Sequence, residues 1–158
     1  MPPLLSFKNV GVKTTQLQQV NAVEPGLIPI GIKTPLQFGQ GVEFFAMHYA
    51  VADQINDNLR NLIQTNHGER LSLWDFGANL QPLTAEYTSQ EDFNSEAMLR
   101  INTAVLKWMP FVELQAFGST PVPRVRGDGI EKIKVLVEYS VPRIGVFNAQ
   151  IEVTLYVF

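Results

Sequence analysis

The apolar residues of this chain change their period along its length, and the periods predict helices followed by strands. Over residues 43–65 an apolar residue recurs every three or four positions, which is the spacing of one helical face. The members of this stripe are Phe44, His48, Val51, Ile55, Leu59 and Leu62. The pattern predicts a helix over residues 43–65 that stops at Gly68, because glycine readily takes the left-handed conformation that ends a helix.

A second helical pattern begins at Ser89, after a segment over residues 71–87 that we expect to be irregular. Ser89 is followed three residues later by Asp92, which resembles the capping box at the start of many helices. The apolar face of this second helix consists of Phe93, Ala97, Ile101, Ala104 and Trp108. We expect the helix to end just before Pro110, since proline disfavours helix in the residue that precedes it.

From Phe111 onward the apolar period changes to two, which is the period of a β-strand. We predict a first strand over residues 111–117 and a Gly/Pro-rich loop over residues 118–129. A second strand presents the apolar residues Ile133, Val135, Val137 and Tyr139 on one face. The last strand does the same with Phe147, Ala149, Ile151, Val153, Leu155 and Val157. Two predicted helices followed by a run of predicted strands indicate an α+β fold, with two main helices packed on a small antiparallel sheet.

Residues 1–40 differ from the rest of the chain because short apolar pieces, such as residues 27–32, alternate with glycine and proline. Such interruptions exclude a long helix. We predict an extended N-terminal arm over residues 1–40, with one or two short edge strands, and an α+β domain over residues 41–158. The composition of the arm fits a loosely packed leader and a segment that wraps a neighbouring subunit equally well.

Charge argues against two classes of partner. The chain has a net charge of −3 and only 17% charged residues, so we expect it to bind neither nucleic acid nor an anionic membrane. The low share of charged residues suggests that partner proteins cover much of its surface. We also expect no signal peptide and no membrane-spanning segment, because the start is not cationic and no apolar run reaches about 18 residues.

The sequence offers few residues for catalysis or for cofactors. Cysteine is absent, and His48 and His67 have no companions at metal-ligand spacing. Gly-rich phosphate loops and nucleophile motifs are also absent, so we predict no cofactor and no metal. Glu69, Asp75 and Glu86 could in principle supply the acid/base pair of a glycosidase, but that chemistry needs one carboxyl group kept protonated by burial. Ordinary solvated or paired carboxylates are the favoured interpretation.

The last strand suggests binding instead of catalysis. A strand of a dozen residues near the chain terminus can leave its backbone groups available to another chain. A partner's extended segment could then pair with it by strand addition. The alternative is a central strand that is already paired on both sides.

Two stretches resemble the small baseplate wedge family of contractile phage tails, which includes the sheath initiator of type VI secretion baseplates. They read NLRNLIQTNHGERL over residues 58–71 and WDFGANL over residues 74–80. The family pattern continues into the second helix and its end. The matching positions are Gly68, Glu69, Arg70, Phe76, Gly77, Leu80, Ile101, Ala104 and Pro110.

The resemblance implies a structural subunit of the tail baseplate and not an enzyme. Such a subunit links the other wedge proteins to the first ring of sheath subunits and initiates sheath assembly, with the tail tube or hub as further partners. It is part of the virion and assembles in the host cytoplasm. Strand addition to the sheath would use Ile151, Glu152, Val153, Thr154, Leu155, Tyr156 and Val157. Some members of the family are labelled lysozymes, so a peptidoglycan-degrading hydrolase of the tail is the alternative function.

The chain departs from the family at the end of the second helix. Many members carry Glu-Pro-Arg where this chain has Met109, Pro110 and Phe111. In the family this motif docks on the other wedge subunits through its charges. We therefore expect a more apolar contact at Trp108 to Phe111, supported by the segment over residues 68–80. The same residues could instead hold the helices on the sheet.

Overall fold

The computed structural model describes residues 28–39, 43–86, 89–122 and 131–157. The chain divides into a smaller unit, Met1–Ala50, and a larger unit, Val51–Phe158. In the described part of the smaller unit, strand β1 (Gly31–Ile32) pairs antiparallel with strand β2 (Met47–His48). An isolated bridge joins Phe38 to Phe45. The predicted arm thus contains a short strand, while its residues 1–27 lie outside the described ranges.

The predicted start of the first helix is wrong. Helix α1 spans Val51–Gln64, because the preceding residues pair as strand β2. The apolar spacing extends to residues that precede the helix, but these residues do not share its buried face. Phe44 is 71% exposed and packs edge-to-face on Phe38 and Phe45. Within the helix, Ile55, Leu59 and Leu62 are buried as the stripe predicts, whereas Val51 at the first position of the helix is 47% exposed.

The described residues of the larger unit form three α-helices and three long strands, which confirms the α+β fold. Helix α1 is followed by α2 (Gln81–Glu86), α3 (Gln90–Trp108), β3 (Glu113–Val122), β4 (Glu131–Val141), a 3-10 turn (Pro142–Ile144) and β5 (Val146–Val157). The short helix α2 falls in the segment expected to be irregular, so that expectation is wrong. Its six residues bury only Leu83, which is too little to produce a visible period. The second helix begins after Ser89 and ends before Pro110, as predicted.

The sheet has the order β3-β4-β5, and both neighbouring pairs are antiparallel. Its inner face packs against the helices and forms one apolar core. The sheet contributes Val135, Val137, Tyr139, Ile151, Val153 and Leu155, and the helices contribute Leu59, Leu62, Ile63, Leu83, Phe93, Ala97, Ile101, Ala104 and Val105. The predicted inward faces are therefore confirmed for Val135, Val137 and Tyr139 of β4 and for Ile151, Val153 and Leu155 of β5, while the side chain of Val157 lies outside the described residues.

The start of β5 departs from the predicted alternation. Asn148 has a positive φ of 52°, and the register between β4 and β5 shifts at Tyr139/Val141. This bulge changes the direction of the side chains on its N-terminal side. Phe147, which the alternation places with the buried residues, is 64% exposed.

Strand β3 also differs from the prediction in its bounds. It begins two residues after Phe111 and continues through Val122, so the predicted loop over residues 118–129 is wrong at its start. Gly118 pairs with Leu136 inside the strand, and Pro121 pairs with Ile133. Pro121 is tolerated because β3 is an edge strand, where a missing backbone donor costs little. The remainder of that loop lies outside the described residues. No helix among the described ranges is long and apolar enough to cross a membrane.

Candidate interaction surface

The segment over residues 68–80 folds back onto the C-terminal end of α1. The last carbonyl groups of a helix have no partners within it and must be satisfied from outside. Here the backbone N–H of Ala78 donates to the carbonyl of Leu62 at 3.0 Å, and that of Asn79 donates to the carbonyl of Thr65 at 3.3 Å. Gly77 makes this approach possible because it has no side chain between the two segments. The returning segment thus acts as a cap for the helix.

Glu69 belongs to a hydrogen-bond network that shapes the same turn. Its carboxylate accepts from the Asn66 backbone N–H at 2.8 Å and from the Asn66 side-chain amide at 2.9 Å. These two bonds stabilise the charged form and lower the pKa of Glu69. The Asn66 side-chain oxygen in turn accepts from the backbone N–H of Gln81 at 3.2 Å, at the first residue of α2. Glu69 therefore holds the turn together.

Several of the site residues expected from the resemblance have structural roles. Gly68 has a φ of 87°, and its N–H donates to the Trp74 carbonyl. Leu80 and Met109 are buried in the core. This outcome agrees with the alternative in which these residues hold the helices on the sheet.

Two residues of the family pattern, Arg70 and Phe76, lie beside Trp108, Met109 and Phe111 at one surface, and we call these five residues the aromatic corner. The rings of Phe76 and Trp108 lie 5.2 Å apart between centroids. The Arg70 guanidinium carbon lies 3.7 Å from the centroid of the Phe76 ring. The sequence segments at residues 68–80 and 108–111, which we grouped only through the family resemblance, are therefore neighbours in space.

A shallow pocket of about 370 Å³ opens at the aromatic corner. Its lining combines the five corner residues with the α1 amides Asn58 and Asn61. Met109 is buried, Trp108 is half-buried, and Phe111 is 38% exposed. Pro110 is exposed between them. The corner thus presents an apolar surface, two side-chain amide groups and the Arg70 guanidinium to a binding partner.

The turn next to the aromatic corner exposes apolar residues that the sequence interpretation did not select. Leu71 is 97% exposed and Trp74 is 71% exposed, with Leu73 also exposed. A group of exposed large apolar residues commonly indicates an interaction site. The signal was present in the sequence as three apolar residues within a predicted irregular segment.

The three carboxylates of the hydrolase alternative have ordinary structural contacts. Asp75 forms an exposed ion pair with Lys107, and this hydrogen bond lowers the pKa of Asp75. Glu86 lies 3.9 Å from a guanidinium nitrogen of Arg100. A glycosidase acid needs a raised pKa, and Glu69 and Asp75 are shifted in the opposite direction. Within the described ranges, no three His, Asp or Glu side chains lie close enough together to hold a metal ion.

Strand β5 lies at one edge of the sheet, and β3 lies at the other. The proposed strand-addition residues divide by face. Ile151, Val153 and Leu155 are buried, Thr154 is half-buried, and Glu152 and Tyr156 are exposed. The Val157 backbone pairs with Glu131. One β5 carbonyl, that of Tyr156, accepts a hydrogen bond from the Gln81 side chain.

The opposite edge has a feature that the sequence interpretation missed. A mostly apolar groove of about 490 Å³ runs between α3 and β3. Met98 and Leu99 of α3 line it and are more than half exposed. Leu114 and Phe117 of β3 form its other side. The groove exists because the helices cover the inner face of β3 less completely than that of β5.

Comparison with known proteins gives a structural match and no sequence match. No family model matches the chain, and no curated protein matches it. A protein in the baseplate of the anti-feeding prophage, solved by cryo-electron microscopy, superposes with a TM-score of 0.56 and 17% identity. The match covers 72% of this chain and 86% of that one. The chain shares the fold of a baseplate protein.

A second solved structure resembles this chain less. It is a candidate tail lysozyme from Geobacter sulfurreducens, with a TM-score of 0.45 and 22% identity. The match covers 72% of this chain and 96% of that one. A TM-score at this level carries no argument about function.

Proposed function

We propose that this protein is a structural wedge subunit of the baseplate of a contractile phage tail. The observation that carries the proposal is the fold shared with the anti-feeding prophage baseplate protein. The wedge motif in the sequence adds to it, since Arg70 and Phe76 of that motif contribute to the aromatic corner. The protein would assemble in the host cytoplasm and remain in the tail of the virion.

The proposal gives separate roles to two surfaces. The aromatic corner contacts other wedge subunits, and β5 receives an extended segment of the first sheath ring and so initiates sheath assembly. The edge position of β5 supports strand addition, because an edge strand has backbone groups that can pair with another chain. The tail tube or the hub would be a further neighbour.

Single cysteines can test both roles, because the natural chain has no cysteine. Glu152→Cys places a thiol on β5, and Gln115→Cys places a matched exposed thiol on the opposite edge strand. Each variant is incorporated into tails, treated with a short thiol-reactive crosslinker and analysed by mass spectrometry. We expect Glu152→Cys to crosslink to the sheath protein, and Gln115→Cys to do so at most weakly.

Two results would count against this assignment. Absence of the protein from purified tails would reject the baseplate role itself. Sheath crosslinks from Gln115→Cys and none from Glu152→Cys would move strand addition from β5 to β3.

The proposal treats the protein as non-enzymatic. The lowered pKa values of Glu69 and Asp75 support this view, because a glycosidase acid must hold its proton near neutral pH. A zymogram on purified peptidoglycan tests the hydrolase alternative. Clearing by the natural protein that is lost in Glu69→Gln, a variant that keeps a similar shape, would support the hydrolase and contradict our proposal.

A further inference from the structure

Arg70 stacks on an aromatic ring and pairs with no carboxylate among the described residues. The ion pairs formed by Arg60, Arg100, Lys107 and Lys134 do not involve Arg70. Its guanidinium instead lies on the Phe76 ring. Stacking of this kind orients the plane of an arginine and leaves its N–H donors at the edge free to bind.

The surroundings of Arg70 increase its capacity to bind an anion. Asp57 and Asp75, the chain neighbours of the pocket residues Asn58 and Phe76, have carboxylates that are paired with Arg60 and Lys107 respectively. Asn58, which also lines the pocket, uses its side-chain oxygen to accept from Gln54 at 2.8 Å. Its amide N–H groups are thus the part of this side chain that can donate to an anion.

The pocket lining also has an apolar part. Met109, Trp108 and Phe111 come from the end of α3 and the turn that follows it. An occupant must therefore combine two properties: a negative group for Arg70 and an apolar group for the pocket. A phosphate group or a nucleic acid backbone satisfies only the first of these.

From this charge complementarity we infer that the aromatic corner binds a protein segment in which a carboxylate stands next to large apolar side chains. The carboxylate pairs with Arg70, and one apolar neighbour enters the pocket against Trp108 and Phe111. This inference rests on the proposed function for the source of the segment, a neighbouring baseplate subunit. It deepens that function by naming the chemistry of the contact.

The apolar part of the contact is needed for the charged part to contribute. An exposed ion pair contributes little because water and salt screen it. Apolar side chains that cover the pocket exclude water from the Arg70 pair, and a bidentate arginine–carboxylate bond then becomes stronger. A recognition site of this type distinguishes glutamate from its neutral isostere glutamine.

The test uses the purified full-length protein and two peptides, acetyl-Leu-Glu-Leu-amide and acetyl-Leu-Gln-Leu-amide. NMR follows the indole N–H signals of Trp74 and Trp108 during titration to millimolar peptide, and Trp74→Phe identifies the Trp108 signal. We expect saturable movement of the Trp108 signal with the glutamate peptide. The glutamine peptide should bind roughly fivefold or more weakly, which corresponds to the strength of one charge-assisted bond.

Two variants complete the design. Arg70→Gln should remove the preference for the glutamate peptide, while Arg143→Gln, a matched change at an exposed arginine of the 3-10 turn, should keep it. Equal affinity for both peptides, no movement of the Trp108 signal, or an Arg143→Gln effect equal to that of Arg70→Gln would overturn the inference. Because no other baseplate protein is present, this result is independent of whether the protein occurs in tails.

Discussion

Gly77 lies against the end of α1 so closely that a Cβ atom at this position would stand 2.1 Å from the carbonyl oxygen of Thr65. Gly77 also has a φ of 113°, which side chains rarely adopt. The same contact brings the N–H groups of Ala78 and Asn79 to the last turn of the helix. One glycine thus controls where the whole segment docks.

We expect Gly77→Ala to lower the free energy of unfolding by at least about 2 kcal/mol, because backbone strain and a clash with another backbone segment add together. Gly68→Ala is the control, since Gly68 also has a positive φ but open space around its Cβ position. Its cost should be only roughly 1–2 kcal/mol. Urea unfolding of both variants measures the difference, and equal costs would show that the close approach contributes nothing.

The hydrogen bonds to Glu69 lead to a pH prediction. Because the folded state lowers the pKa of Glu69, its contribution to stability is present above the ordinary value of 4.5. That contribution is lost as the pH falls through the lower, folded value. Asn66→Asp keeps the oxygen that accepts from Gln81 but replaces the amide donor with a second carboxylate, so it should raise the pKa of Glu69.

Carboxyl carbon NMR titration of Glu69 measures this pKa directly in the natural protein and in Asn66→Asp. A Glu69 midpoint that is unchanged by Asn66→Asp would mean that the Asn66 amide does not stabilise the carboxylate. Asp75 is an internal reference, because its lowered pKa depends on Lys107 and should remain low in this variant.

The bulge at Asn148 predicts an unusual preference among substitutions. Asn148 is exposed and has a φ of 52°, so glycine should be tolerated at this position within about 0.5 kcal/mol. Valine should cost roughly 1–2 kcal/mol despite its high strand propensity, since a β-branched residue resists a positive φ. Thr154→Val on the same strand is the control and should be nearly neutral. Thermal unfolding distinguishes the outcomes, and a neutral Asn148→Val would argue against the bulge.

Arg100 connects α3 to the segment that caps α1. Its side chain donates to the Asn79 carbonyl at 2.8 Å and to Glu96 at 2.9 Å. We expect Arg100→Gln to cost about 1–2 kcal/mol, because the half-buried Asn79 carbonyl loses a charged donor. Amide hydrogen exchange should become faster at residues 77–79 than in the core strands. An unchanged exchange rate there would show that the segment docks without Arg100.

In the larger unit, a helix or strand could be predicted from the sequence where its apolar residues repeat at one period. Helix α3 and the buried faces of β4 and β5 follow from spacings of 3.6 and two residues, which depend only on neighbours along the chain. Short helices and strands were missed because they contain too few residues to show such a period. Helix α2 has one buried residue, and β2 has two residues in all, so neither produces a period that can be distinguished from its surroundings.

The candidate surface was only partly accessible from the sequence. The resemblance selected Arg70, Phe76 and residues 108–111, but it did not distinguish the buried Leu80 and Met109 from the exposed Phe111. Burial depends on how distant segments pack, and a motif does not contain that information. The exposed turn at Leu71 and Trp74 and the groove beside β3 lie outside the motif and were found only in the structure.

By itself, then, the amino-acid sequence determined the α+β class, the second helix and the inward faces of the sheet, since each depends on local chain geometry. Tertiary contacts decided the rest. Pairing with β1 placed residues 47–48 in a strand and delayed the first helix to Val51, and the bulge at Asn148 turned Phe147 outward. Packing also brought the Phe76 ring beside Trp108 and the Arg70 guanidinium onto the Phe76 ring, where Arg70 pairs with no carboxylate of the described residues. These outcomes depend on residues far apart in the chain, which no local pattern relates.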